Sequence, residues 1–562
     1  MDADCYSLKK NLLLWLLPLI FLAVFLFQPL AAVFKLAWQE ALSSGMAFNL
    51  AERILRPLGF TVWQAALSTL LTLLVGLPAA YVFARFEFPG KQALRVLTSI
   101  PFILPTVVAA AGFNSLLGPR GWVNLALMDW LHLSAPPIKF LNTLGAILLV
   151  HVFYNTTIVI RVVGSAWAQL DTRLEQAGRV LGAKPLRLLW EVTLPLLRPS
   201  ILAAGLLVFL FDFTSFGVVL LLGGPQYATL EVEIYIQALN MLNLPLAGLL
   251  SAIQLVCTLG LTILYTRMSQ RQVIPLMPRL QGEGTRRPAS HREKMVVGLT
   301  VGMLVLLLIL PMAALATRST VRMEAERGER GMVRTGFTLD YYHELFINRR
   351  GSLFYVPPIQ AAVNSLGYAG VTVIISLSMG FLAAYALSRP ARLNLLLDPL
   401  LMLPLGASAV TLGLGFIVVF NKPPLDVRNF PLLIPIAHSL VALPFVVRAL
   451  LPALQSIPPS LRQAASVLGA PSWRVWLEVD LPIIGRAVLA SAIFAFTISL
   501  GEFGATAFLA RPEYPTLPVA IFRFLSQPGA RNYGQALAMA TILMFLCGAG
   551  ILVSERLSQR DV

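Results

Sequence analysis

QAGRVLGAKPLRLLWEVTLP, residues Gln176 to Pro195, returns as QAASVLGAPSWRVWLEVDLP, residues Gln463 to Pro482. Both copies open on Gln-Ala (Gln176-Ala177, Gln463-Ala464) and place Val-Leu-Gly-Ala at the same point, with Gly182 and Gly469 as its glycines. Both then reach a glutamate, Glu191 or Glu478, and close on Leu194-Pro195 or Leu481-Pro482. The same offset of about 287 residues joins His151 to His438, Arg161 to Arg448, Phe216-Gly217 to Phe503-Gly504 and Thr229-Leu230 to Thr516-Leu517. An ungapped correspondence of that length is an internal duplication.

The chain around the duplication is apolar. Of 562 residues, 57% are hydrophobic and 12% charged, against about 25% charged in ordinary domains. Mean hydropathy is +0.76. The apolar residues fall in runs near 20, the length that crosses a hydrocarbon core of about 30 Å at 1.5 Å per residue. The net charge of +16 would suggest nucleic acid in a soluble chain. Here Lys and Arg gather in loops beside the runs, where they set orientation and meet anionic headgroups. No basic patch is interleaved with aromatic residues, so no nucleic-acid partner is expected. Cys5 precedes the first run, and Cys257 and Cys547 lie inside runs, which excludes a disulfide framework or metal spacing.

The first span reads Leu12 to Phe34, after Lys9-Lys10. Its length and the lack of a small-x-small cleavage site make it a retained helix rather than a signal peptide. A loop to Phe60, with Arg53 and Arg56, leads to spans at 61–85, 93–117, 144–168, 199–222 and 246–266. Residues 267–294 form a polar, Gly-, Pro- and Arg-containing linker. Six more spans follow at 295–316, 362–388, 395–420, 431–450, 485–510 and 534–553. The segment 318–360 is mixed in charge (Arg322, Glu324, Glu326, Arg327, Glu329, Arg330) and reads as the one sizeable outside segment. With the N-terminus inside, inside loops hold about 24 Lys and Arg and outside loops about 17, or about 10 without 318–360. Six crossings per half give both halves the same orientation and place both copies of the motif on the cytoplasmic side.

Each copy reads as helix, turn, helix. Gly182 and Gly469 end the first helix, as a glycine of positive φ does at a C-cap. Pro185 and Pro471 lie where proline can open the second. Leu194-Pro195 and Leu481-Pro482 are expected to turn the chain back into the bilayer. A plain connector needs only a few residues, yet about 30 are spent here, twice, and they carry apolar and aromatic side chains (Leu189, Trp190; Trp473, Trp476). Apolar surface outside the membrane marks an interaction site.

A small pair, a Gly about five residues on and a Leu-Pro about eleven further resembles the EAA loop of permease subunits of binding-protein-dependent ABC importers. The resemblance covers nearly the whole chain, because the six-helix plan around the loop matches in both halves. It implies an all-α fold: a polytopic membrane protein of about 12 transmembrane helices, as two parallel six-helix repeats of the type I ABC importer permease fold. Residues 1–266 would be the first half, with its EAA-like loop at 170–198. Residues 267–294 would be the cytoplasmic linker, and 295–562 the second half, with its loop at 457–485. The motif's leading Glu is Gln176 here and Gln463 in the repeat, with Glu175 adjacent but out of register. Among such permeases, two halves in one chain resemble the thiamine and iron(III) branch. LLLGGPQYATLEVEIYIQAL (Leu220 to Leu239) looks like thiamine permeases, whereas SLGEFGATAFLA (Ser499 to Ala510) also resembles molybdate and sulfate permeases.

What the resemblance implies about partners is specific. Two copies of a cytoplasmic ABC ATPase would close on ATP, push the two loops together and open the pathway toward an extracytoplasmic solute-binding protein. Segments 223–245 and 511–533 would meet that protein. One copy of this chain would suffice per transporter, set in the bacterial inner membrane with both termini cytoplasmic. No cofactor is expected.

Ionisable groups inside spans are functional candidates, because burying them in lipid costs a few kcal/mol. Asp212 lies in the fifth span and Glu502 in the eleventh; by the repeat offset Asp212 corresponds to Ser499 and Glu502 to Ser215. These four are expected to line the polar pathway or its gate, or else to hold helices together as an internal hydrogen-bonded set. Arg161 and Arg448 are expected to snorkel to the headgroups, and His151 and His438 to hydrogen-bond between helices. Pro105 and Pro404 are expected to kink the third and ninth spans. Ala79-Ala80 and Ala383-Ala384, after Gly76 and Gly380, read as close helix packing.

No G-x-x-x-x-G-K-[ST] loop occurs, so ATP must be handled by another subunit. Nor is there a nucleophile constellation, a catalytic carboxylate pair or a metal-spaced His cluster, which argues against an enzyme. The competing reading is a secondary transporter with two parallel six-helix repeats. It calls for coupling acids at the midplane and does not need the paired loops.

Overall fold

The computed structural model describes residues 14–43, 48–270, 285–323, 336–348, 356–389, 391, 393–423, 425–426 and 429–559. Cys5, Lys9, Lys10, linker residues 271–284 and residues 324–335 and 349–355 of the 318–360 segment lie outside the described residues. Ten described helices are long and apolar enough to cross a membrane, and two bent pairs bring the number to as many as twelve.

The first half contains α1 (Leu14–Leu42), α2 (Phe48–Arg85), α3 (Lys91–Ile103), α4 (Thr106–Leu117), α5 (Leu144–Gln169), α6 (Thr172–Val180), α7 (Leu194–Phe213), α8 (Gly217–Leu222), α9 (Leu230–Tyr235) and α10 (Leu244–Gln270). The second contains α11 (His291–Arg318), α12 (Pro358–Leu387), α13 (Asn394–Gly406), α14 (Ala409–Val419), α15 (Leu433–Gln455), α16 (Pro459–Val467), α17 (Leu481–Gly501), α18 (Gly504–Leu509), α19 (Leu517–Leu525) and α20 (Ala530–Gln559). Several helices outrun the spans expected for them, α1 and α2 furthest at one end. α1 continues past Phe34, and α2 begins twelve residues before Phe60, because a helix does not stop where its apolar stretch does.

The third and ninth spans are broken rather than kinked. α3 and α4 meet at 111°, α13 and α14 at 95°. In the first pair the break falls at Leu104-Pro105, both extended, as expected where a proline excludes the α region for the residue before it. In the second, Pro404 stays inside α13 and the break comes at Ala407-Ser408, where Ser408 Oγ accepts from Thr411 N at 3.1 Å as an N-cap. Pro404 is therefore the counterpart of Pro101, and Ser408 that of Pro105. The repeat offset changes between the broken helix and α5 because the first half fills that connection with a helix, Trp122–Leu131, and the second with a hairpin of Asn421–Lys422 and Leu425–Asp426.

The halves exchange their leading helices. α1 packs on α14 of the second half as well as on α10. Its Trp15, Phe21, Leu22 and Leu26 are buried in one cluster with Leu401, Leu412, Phe416 and Leu443. Reciprocally, α11 lies against α4, burying Leu304, Leu308 and Leu315 among first-half side chains. Lipid tails are as apolar as leucine, so close packing rather than water exclusion selects these neighbours. The α2–α5 crossing shows it. A Cβ on Gly76 would lie 2.6 Å from Val159, and on Gly380 2.6 Å from Val446 at the equivalent α12–α15 crossing. Ala79, Ala80, Ala383 and Ala384 beside them are fully buried, as their sequence suggested.

Candidate translocation cavity and coupling loops

Between the halves lies a cavity of about 420 Å³. The two helix breaks, the inner faces of α5, α15 and α17, and the turns after α7 and α17 form its wall. Its polar lining includes His151, Asn155, Asp212, Ser215, Glu231 and Glu502, and its rings include Tyr154, Phe211, Phe216, Phe445, Phe494 and Phe503. No Lys or Arg is among the described lining residues.

Two histidines organise this wall. His151 Nε2 is 2.7 Å from Ser215 Oγ, and its Nδ1 is 3.4 Å from Asp212 Oδ1 without a hydrogen bond; that oxygen accepts from Asn155 Nδ2 at 2.6 Å. His438 Nδ1 is 2.8 Å from Ser499 Oγ, and its Nε2 lies 2.7 Å from Thr506 Oγ1 and 3.2 Å from Glu502 Oε2. The geometry repeats while acid and serine change places.

Of the four residues singled out in the sequence, Asp212, Ser215 and Glu502 line the cavity, whereas Ser499 sits behind it, bonded to His438 and to Thr372 at 3.1 Å. Glu502 is not inside a span: α17 ends at Gly501. Its carboxylate accepts from Ala505 N at 2.9 Å, Thr506 N at 3.0 Å and Thr506 Oγ1 at 2.6 Å. The fifth span likewise ends at Phe213, with α8 a separate turn after Ser215. Sequence reasoning missed Glu231, which it left in an outside segment. α9 carries it inward, where it is 2% exposed, and two acids, Glu231 and Glu233, set among apolar residues were the available signal. Arg161 and Arg448 do not simply reach for headgroups. Arg161 Nη2 donates to Ser99 Oγ at 2.5 Å, and Arg448 pairs with Asp398 at 3.2 Å, tying α5 to α3 and α15 to α13.

At the far end of α5 and α15 the repeated motifs form two matching elbows. Asp171 caps α6, accepting from Arg173 N at 2.9 Å. Gly182 (φ 80°) and Gly469 (φ 79°) close α6 and α16 in Schellman motifs, with Ala183 N donating to Gly178 O at 3.0 Å and Ala470 N to Ala465 O at 3.1 Å. The second helix of each elbow, from Pro185 or Ser472, runs through a π-turn (Leu189–Thr193, Trp476–Asp480) straight into α7 or α17. Leu194-Pro195 and Leu481-Pro482 therefore continue a helix rather than reverse the chain, each proline following directly on the π-turn.

Gln176, Ala177, Gln463 and Ala464 face outward on α6 and α16. Val180 and Leu181 are each 87% exposed, Val467 and Leu468 86% and 87%, and Trp190 and Trp473 both 65%. Glu191 and Glu478 fold back on Arg187 and Arg474 at 2.9 and 2.7 Å. Glu175 is engaged internally with Arg85 at the end of α2. In the second elbow the corresponding position is Arg462, paired with Asp480 at 2.8 Å, and Arg389 stacks on Tyr385 at 4.6 Å instead. The chain returning from the linker also braces the first elbow. Arg286 pairs its backbone with Arg85 and Glu87 at 3.0 Å each and lies over the Phe86 ring at 5.3 Å.

The sequence model of a family described as "Binding-protein-dependent transport system inner membrane component" matches residues 72–274 and 376–561. The chain is 27% identical over 574 residues to "Probable ABC transporter permease protein y4fN" of Sinorhizobium fredii, covering 99% of this chain and 97% of the relative. It is 28% identical over 545 residues to "Thiamine transport system permease protein ThiP" of Escherichia coli, covering 95% and 94%. A crystal structure of a bacterial ABC transporter involved in alginate import matches 48% of this chain and 100% of its own, at 20% identity and TM-score 0.39. With both repeats matched by one family and ten to twelve described spans around two elbows, this chain belongs to the binding-protein-dependent transport system inner membrane components: it is a multi-pass ABC transporter permease, a transport component and not an enzyme.

Proposed function

We propose that this chain is the membrane pathway of an ATP-driven importer for a small cationic solute, with thiamine first and iron(III) second among substrates. The observation that carries the reading is the cavity lining: Asp212, Glu231 and Glu502, aromatic rings, and no described Lys or Arg. A carboxylate wall of low dielectric attracts cations and repels oxyanions, which argues against molybdate and sulfate. The full-length similarity to a relative named as a thiamine permease supports the same choice.

On this reading residues 1–266 and 295–562 are the two permease halves, joined by 267–294, and one copy of the chain forms the pathway. The elbows face the cytoplasm with both termini. The exposed pairs Val180-Leu181 and Val467-Leu468 insert into two copies of a cytoplasmic ABC ATPase, and the opposite end receives an extracytoplasmic solute-binding protein in the bacterial inner membrane. Gln176 and Gln463, at the motif's leading positions, meet the ATPase without charge. A secondary transporter leaves two matched apolar elbows unexplained. Reconstitution of the chain with its ATPase and binding protein in proteoliposomes tests the proposal. ATP-dependent uptake of labelled thiamine or iron(III) is expected; uptake of molybdate or sulfate, or uptake independent of ATP, would overturn it.

A further inference from the structure

The three carboxylates of the cavity are not equivalent. Glu502 is spent on its own turn: two backbone N–H groups, the Thr506 hydroxyl and His438 surround it. Asp212 is 1% exposed, and its Oδ1 is held by Asn155, with the Ser68 hydroxyl as its other polar neighbour. Glu231 accepts from Gln254 Nε2 at 2.6 Å and has Ser408, at the break of the second half's bent helix, and Glu502 as its other polar neighbours. Its counterpart in the repeat is Pro518, so the second half supplies nothing similar.

An acid kept in a buried wall beside another acid costs free energy that a bound cation recovers. From this asymmetry we infer that Glu231 is the specificity-determining residue for the solute's positive charge, that Asp212 is its second contact, and that Glu502 is a structural cap. The inference rests on the cation reading above. The rings Phe216, Phe445 and Phe494 on the same wall suit an organic cation with a delocalised charge, which gains from aromatic faces as well as from a carboxylate. Selection would be one-sided: the first half recognises charge and the second supplies the wall against which the solute is held.

Thiamine and its neutral isostere, in which carbon replaces the thiazolium nitrogen, are the probes, used with the reconstituted transporter and its ATPase and binding protein. Wild type should prefer the cation. Glu231→Gln, which keeps the hydrogen bond to Gln254, should lower thiamine uptake roughly tenfold or more, as loss of a desolvated charge partner does, while isostere uptake stays unchanged. Glu502→Gln should lower the unfolding temperature, because its carboxylate accepts from Ala505 N, Thr506 N and the Thr506 hydroxyl. If wild type prefers thiamine and Glu231→Gln retains that preference in full, Glu231 is not the selector although the cation reading stands. If wild type carries oxyanions and neither probe, the cation reading and this inference fall together.

Discussion

His151 Nδ1 lies 3.4 Å from Asp212 Oδ1, both side chains almost fully buried on the wall between the two halves. In the second half His438 takes its acid from Glu502 at 3.2 Å, one turn further along the repeat. Duplication has thus preserved a histidine that binds two positions of the neighbouring element, while which of the two is acidic has switched. A two-fold cavity built this way has chemically different halves.

The two histidines should differ in structural weight. His438 is bonded to Ser499 and Thr506 and contacts Glu502, whereas His151 Nδ1 forms no hydrogen bond. His438→Ala, which orphans buried groups at about 1–3 kcal/mol each, should lower the unfolding temperature in detergent more than His151→Ala does. Equal shifts would refute this weighting.

Gly182 and Gly469 have open space around a would-be Cβ, so substitution there strains only the backbone. Changing both to Val should cost about 1–2 kcal/mol per site from the left-handed φ and loosen the ends of α6 and α16. Co-purification of the ATPase should fall sharply while the detergent-solubilised chain stays monodisperse. Undiminished ATPase recovery would count against the elbows as its docking surface.

The pairing of the elbows can be exchanged. Glu175→Arg sets a second cation against the largely buried Arg85 and should destabilise the chain by about 3–5 kcal/mol, the range for breaking a buried pair. Adding Thr193→Asp recreates the Arg462–Asp480 arrangement and should recover most of that loss. Thermal unfolding of the two single variants and the double variant measures the coupling; simple additivity would show that the two positions do not interact.

At the α2–α5 crossing, Gly76→Ala forces a methyl to 2.6 Å from Val159 and should cost about 1–3 kcal/mol. Val159→Gly, which removes the Val159 Cβ at 2.6 Å as well as its γ-methyls, should recover part of the unfolding temperature lost in Gly76→Ala, whereas Val159→Ala, which keeps that Cβ, should recover less. No rescue would mean that the helices had already moved apart.

Much of this protein was legible from its residues. Runs of apolar residues near membrane length marked the spans, the offset of Gln176 to Gln463 marked the duplication, and Gly182 and Gly469 marked the ends of α6 and α16. Each of these is local: span length, helix capping and a repeated string depend on neighbours in sequence. Pro404 misled because a proline can be carried within a helix, and the break fell where Ser408 could cap the next one. Glu175 looked like a displaced motif residue, and only the end of α2, 90 residues away, shows what it binds. The same holds for Glu231 turned into the cavity and for α1 seated on the opposite half. In lipid, apolar side chains of many helices could satisfy one another equally well, and nothing in a run of leucines names its partner. Close approach at Gly76 and Gly380, and hydrogen bonds from His151 and His438, select the partners; both exist only once distant segments meet.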